Sequence, residues 1–171
     1  MKQLELSGEL KRRVEHGGDL WRGGRKRERP IATKSAMHVT LRSSLAKGEW
    51  SFLHPRHAPF IRDLLARLSR RFQVRLYETA NAGTHLHLLA RPKTRDSLKH
   101  FLCALSGKIA QRITGARKRK PFGRRFFDSI PWSRIIDCHR DFTTVRDYII
   151  QNTLEALGVI PYQQRSKPRR I

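Results

Sequence analysis

The residues best suited to chemistry in this chain are two histidines in Thr84-His85-Leu86-His87-Leu88-Leu89, read together with Tyr148 and Asn152 in Asp147-Tyr148-Ile149-Ile150-Gln151-Asn152. An apolar run with one residue between its histidines reads as a β-strand. Successive strand side chains point to opposite faces, so His85 and His87 share one face while Leu86 and Leu88 share the other. The leucines then enter a core while both imidazoles project from the opposite surface, at a separation that suits metal chelation. Taken alone, such a pair is more often two surface histidines with ordinary partners. Tyr148 and Asn152 add weight. They lie four apart in a segment of helical periodicity, hence on one helix face, where a nucleophile and an oxygen ligand could together meet the histidine pair.

The flanking sequence predicts the elements that must hold these residues. Ala36–Ser43 alternates, with Met37, Val39 and Leu41 on one face and His38, Thr40 and Arg42 on the other, as in a half-buried strand. After a connection through residues 44–57, Pro59 opens a helix with the apolar stripe Phe60, Ile61, Leu64, Leu65, Leu68 and Phe72. Residues 73–79 alternate again, with Val74 and Leu76 opposite Arg75, Tyr77 and Thr79, and Asn81-Ala82-Gly83 supplies turn chemistry before the histidine strand. Thr94 or Asp96 caps a second helix with the stripe Leu98, Phe101, Leu102, Leu105, Ile109 and Ile113, ended by Gly115. A short segment within 126–136 supplies a last edge strand, where Pro131 is tolerated. Asp141 is expected to cap the final helix, with Phe142, Val145, Ile149 and Ala156 inward and Gly158 and Pro161 at its end. The order is that of an α+β, ferredoxin-like split βαβ fold, with a four-stranded antiparallel sheet and an added C-terminal helix. Tyr77 lies on a strand with no ligand one helical turn away and reads as structural. His38, His54, His57, His100 and His139 likewise read as structural or surface residues.

Charge defines the partner class. The chain has 171 residues, with 37 Lys and Arg against 14 Asp and Glu, a formal net charge of +23. A compact domain with this self-repulsion calls for a polyanionic partner, and nucleic acid is the first candidate. No amphipathic basic helix with a large apolar face, no long apolar run and no signal-peptide pattern points to a membrane. Residues 1–35 read as a flexible basic arm in which Arg22, Arg25, Lys26, Arg27 and Arg29 contact phosphates. Six further cations, Arg117, Lys118, Arg119, Lys120, Arg124 and Arg125, surround Phe122 in one loop, a composition that suits a nucleic-acid backbone and a stacked base. Residues 161–171 form a basic tail. Cys103 and Cys138 have no pairing or zinc-type spacing and read as reduced thiols of a cytoplasmic, nucleoid-associated protein.

The constellation resembles the single-tyrosine transposases of small bacterial insertion sequences, with their His-hydrophobic-His motif, and in particular the branch associated with repetitive extragenic palindromes. The resemblance covers roughly residues 36–160. It rests on Ala82-Gly83-Thr84-His85-Leu86-His87-Leu88-Leu89 and Tyr148-Ile149-Ile150-Gln151-Asn152, with Arg42-Ser43-Ser44, Gly115-Ala116-Arg117-Lys118 and Leu154-Glu155-Ala156 beside them. It implies a ferredoxin-like nuclease that binds DNA hairpins and cleaves an adjacent single strand. His85, His87 and Asn152 would ligate a metal, and Tyr148 would be the nucleophile. Two positions depart from the family pattern: Ala82-Gly83-Thr84 stands where many relatives have Met-Pro-Asn, and Thr153 follows Asn152 where proline is frequent.

The chemistry suits these residue types. Strand transfer without ATP must conserve the phosphodiester bond energy, which a phosphotyrosine does. A phenol of pKa about 10 is only about one-thousandth ionised at pH 7 and needs charge stabilisation. A divalent cation provides it, and two imidazoles with one amide oxygen suit Mn²⁺ or Mg²⁺. The residues leave two functions open: a metal-dependent DNA strand transferase, or a non-catalytic hairpin DNA- or RNA-binding module that kept the fold. They also leave open whether the protein is a monomer or a homodimer, and whether the terminal helix completes its own chain's site or a partner's.

Overall fold

The computed structural model describes residues 15–18 and 28–163. Its strands are β1 (Glu15–His16), β2 (Met37–Arg42), β3 (Val74–Asn81), β4 (His85–Pro92) and β5 (Trp132–Ile135). The helices are α1 (Ala58–Arg71), α2 (Arg95–Thr114) and α3 (His139–Ala156). The strands form one antiparallel sheet in the order β1-β5-β2-β4-β3. From β2 onward this is the split βαβ arrangement that the sequence predicts, with α3 added.

The two faces of the sheet are covered by different helices because the strands alternate. Met37, Val39 and Leu41 of β2 and Leu86, Leu88 and Ala90 of β4 join the main core with the stripes of α1 and α2. All six predicted stripe residues of α2 are buried, as are Ile61, Leu64, Leu65 and Leu68 of α1. Thr94 caps α2 by accepting from the Ser97 amide at 3.1 Å, and Gly115 ends it at a φ of +67°. On the opposite face, Val145 and Ile149 of α3 bury Leu89 of β4 and Ala80 of β3 in a second, smaller cluster.

Five expectations need correction. The sheet has five strands rather than four, because Glu15 and His16 pair with Arg134 and Ser133 of β5. The stretch read as an arm therefore contributes to the fold at Glu15–His16, and His16 is buried. Gly17 and Gly18 make the turn after it: Gly17 has a φ of +84°, and a Cβ there would lie 2.2 Å from the Pro131 carbonyl oxygen. Consequently β5 is not an edge strand along its whole length. The face assignment of β3 is also altered, since a bulge between Leu76 and Glu78 shifts the register. Beyond it Glu78 and Ala80 stand opposite Leu89 and His87, and Thr79 pairs with Leu88 on the core face. Finally, Cys138 rather than Asp141 occupies the N-cap of α3. Asp141 sits in the first turn and accepts from the Arg134 guanidinium at 2.9 Å, an ion pair that ties α3 to β5.

Candidate active site

The register places the histidine pair. Thr40 stands opposite His87 and Arg42 opposite His85, so both imidazoles lie on the sheet face away from the main core. The turn leading into β4 is fixed from below. Asn81 Nδ2 donates to the Phe52 carbonyl at 2.8 Å, its Oδ1 accepts from the Gly83 amide at 3.1 Å, and the Phe52 amide donates to the Gly83 carbonyl at 2.8 Å. His85 and His87 then stand edge to face, with ring centroids 4.7 Å apart and planes at 85°.

Helix α3 supplies the other half. Val145 and Ile149 are its buried anchors, and Tyr148, on the same side, is set edge-on to His87 at 5.4 Å between centroids. Asn152 is buried one turn later and donates from Nδ2 to the Tyr148 carbonyl at 2.6 Å. The structure thus brings His85, His87 and Tyr148 into one ring cluster and sets Asn152 directly behind Tyr148 on the helix. Within the single chain, α3 lies over its own sheet.

His38, which the sequence reads as a structural or surface residue, belongs to the same cluster. Its Nε2 lies 3.2 Å from His87 Nδ1, and its ring is 5.9 Å from Tyr148 and 5.3 Å from Trp132. Burial, with help from Arg134, pushes its pKa down to about 4, against a smaller opposing effect of Asp141. The available signal was the shared alternation of His38 with Thr40 and Arg42, but which strand paired with β4 was needed to use it.

The donor set fits a divalent cation by its chemistry. His85 Nδ1 lies 2.9 Å from Thr84 Oγ1, and His87 Nδ1 lies 3.2 Å from both Thr40 Oγ1 and His38 Nε2. Ligating imidazoles commonly hold a neighbour through one nitrogen and the metal through the other, so Nε2 of each ring is the atom that could hold an ion. With Nδ2 of Asn152 bonded to the Tyr148 carbonyl, Oδ1 is the donor atom that side chain could offer. Among the described residues no group of three or more His, Cys, Asp and Glu is placed to hold an ion.

The predicted phosphate contacts divide. Arg117, Lys118, Arg119, Lys120, Arg124 and Arg125 are all exposed, on a loop tightened by the paired backbone of Arg117 and Lys120. Phe122 packs half-buried against Trp50 at 5.5 Å, with the Arg124 guanidinium 5.4 Å from its ring. Arg22, Arg25, Lys26 and Arg27 lie outside the described residues. Arg29 is engaged inside the fold, donating to Ser133 Oγ and, at 2.7 Å, to the Pro131 carbonyl. Its partial burial lowers its pKa to about 10, and it joins the segment before β2 to β5. The reading also missed Arg75 and Arg91, two cations paired directly across β3 and β4 on the site face.

Fold and site together define a ferredoxin-like α+β domain with a histidine–tyrosine cluster under its added helix. The fold is that of a solved REP-associated tyrosine transposase bound to a REP hairpin, at a TM-score of 0.58 and 13% identity over 81% of each chain. A putative transposase from Deinococcus radiodurans R1 also matches, at a TM-score of 0.45 and 16% identity, over 75% of this chain and 98% of that one. No family model and no curated protein matches the chain. Among the described residues, no helix is long and apolar enough to cross a membrane.

Proposed function

We propose that this protein is a transposase-type DNA strand transferase that binds hairpin DNA and cleaves the adjacent single strand through a phosphotyrosyl intermediate on Tyr148. One observation carries the reading: the α3 tyrosine stands 5.4 Å from the ring of His87, which reaches it from a distant strand of the sheet. The fold shared with a transposase bound to a hairpin supports the substrate class, and the net charge of +23 supports a polyanionic ligand.

In this reading Tyr148 Oη forms a bond to the scissile phosphorus, and the bond from phosphorus to the 3′ oxygen breaks. The phenolic proton is lost and the leaving 3′ oxygen takes one up, giving a 5′-phosphotyrosine and a free 3′-hydroxyl. The phosphotyrosine retains the ester's free energy, so a strand end can later attack it and reverse the step. His85 Nε2, His87 Nε2 and Asn152 Oδ1 would hold Mg²⁺ or Mn²⁺, which when bound polarises the phosphate and offsets the charge developing on it. Val145 and Ile149 keep the Tyr148 face of α3 against the sheet. The exposed cations of the 117–125 loop bind the backbone.

The test is mass spectrometry of the protein after incubation with single-stranded hairpin oligonucleotides and Mn²⁺. A DNA adduct on Tyr148 is expected. Hairpin binding without any adduct would instead favour a non-catalytic binding module.

A further inference from the structure

We infer that His38 is a positioning residue of this site: by accepting a hydrogen bond from His87 Nδ1–H it fixes the tautomer in which His87 Nε2 carries the lone pair for a metal ion. The inference rests on the proposed metal site and extends it to a residue that touches neither metal nor substrate.

The geometry is specific. His38 and His87 come from neighbouring strands one register step apart, since His38 pairs with Leu89 and Thr40 with His87. Their side chains therefore meet diagonally on one face, with His38 Nε2 3.2 Å from His87 Nδ1. Both rings are buried, where an unmade hydrogen bond is costly. When both imidazoles are neutral, their nitrogen-to-nitrogen bond has only two arrangements. With the proton on His38 Nε2, His87 accepts through Nδ1 and bears its own proton on Nε2, which removes it as a ligand. With the proton on His87 Nδ1, His38 Nε2 accepts and His87 Nε2 is the basic nitrogen.

Two neighbours bear on this pair. Thr40 Oγ1, 3.2 Å from the same His87 Nδ1, accepts that proton in the second arrangement and donates its own in the first, so the choice between them falls to His38. The His38 ring is itself held by edge contacts to Trp132 at 5.3 Å and Tyr148 at 5.9 Å. A rotation of His38 would therefore disturb Tyr148 as well as His87. One buried residue thus couples the orientation of a metal ligand to that of the nucleophile.

The experiment compares the full-length protein with His38→Leu, His38→Gln and Thr40→Val. Nitrogen-15 chemical shifts of the His87 ring report its tautomer without any metal, and Mn²⁺ alone, titrated against the broadening of the same resonances, reports affinity. The expected wild-type result is a protonated Nδ1. Losing an outer partner of a metal-bound histidine costs roughly 10–100-fold in metal affinity. His38→Leu should fall at the lower end, because Thr40 remains, and should mix the tautomers. His38→Gln, whose amide oxygen can accept the same bond, should recover most of both. A wild-type His87 protonated on Nε2, or equal Mn²⁺ affinity in wild type and His38→Leu, overturns the proposal alone. Absence of Mn²⁺ uptake by the wild type both alone and with hairpin DNA bound overturns the metal assignment beneath it as well.

Discussion

Tyr148 stands edge-on to His87, with centroids 5.4 Å apart and ring planes at 88°, although one residue belongs to the last helix and the other to the middle of the sheet. The two are held by opposite sides of the smaller core, in which Leu89 of β4 meets Val145 and Ile149 of α3. The position of Tyr148 against the sheet is therefore tied to the packing of α3.

Tyr148→Phe removes only the phenolic oxygen. It should abolish covalent attachment to a hairpin oligonucleotide while changing hairpin affinity by less than about 1 kcal/mol, the range of a substitution that leaves packing intact. Tyr77→Phe should retain the adduct, because Tyr77 packs against Phe142 at 5.2 Å and lies under the Arg75 guanidinium at 4.9 Å. Peptide mapping that finds the DNA on Tyr77 or Tyr162 would show the nucleophile to be misassigned.

The proposed ligands are all neutral, two imidazoles and an amide. A neutral set attracts a divalent cation weakly by itself, and the anionic phosphate of the bound strand supplies the missing charge. Mn²⁺ affinity should therefore rise at least about tenfold when hairpin DNA is bound, and by linkage Mn²⁺ should tighten DNA binding by the same factor. Calorimetric titration in both orders checks this. His85→Ala and His87→Ala should remove the metal response, and Asn152→Ala should weaken it less. A Mn²⁺ affinity indifferent to DNA would count against the site.

Salt dependence tests the basic loop. Replacing Arg117, Lys118, Arg119 and Lys120 with glutamine should reduce the slope of log affinity against log salt by roughly one for each cation that contacts a phosphate. These side chains are exposed, so thermal stability should change by no more than about 0.5 kcal/mol. An unchanged slope would place the DNA elsewhere on the surface.

Gly17 tests whether β1 is integral to the sheet. A Cβ there meets the Pro131 carbonyl oxygen at 2.2 Å, and the residue's φ is +84°. Gly17→Ala should lower stability by about 1 kcal/mol or more through backbone strain alone, seen as a lower denaturant midpoint with an unchanged slope. Wild-type stability in this variant would mean that β1 contributes nothing to the fold.

The sequence by itself determined the frame. The alternation of Met37–Arg42 and His85–Leu89 and the apolar stripes of α1, α2 and α3 recur at periods that physically require a strand or a helix, so order, faces and core were legible. The histidine pair and Tyr148–Asn152 could be singled out because local periodicity decides which residues share a face. What depends on pairing between distant segments was not legible. Glu15–His16 is too short to show alternation and becomes a strand only because β5 offers backbone partners. The bulge at Tyr77 moves Thr79 to the core face through register, which no single strand encodes. Phe122 is drawn onto Trp50 and Arg29 onto Ser133 and Pro131, contacts between segments far apart in the chain. His38 gained its place beside His87 only when β2 paired with β4. Local side-chain chemistry writes its pattern into neighbouring residues, whereas register and buried polar contacts exist only between elements that the folded chain brings together.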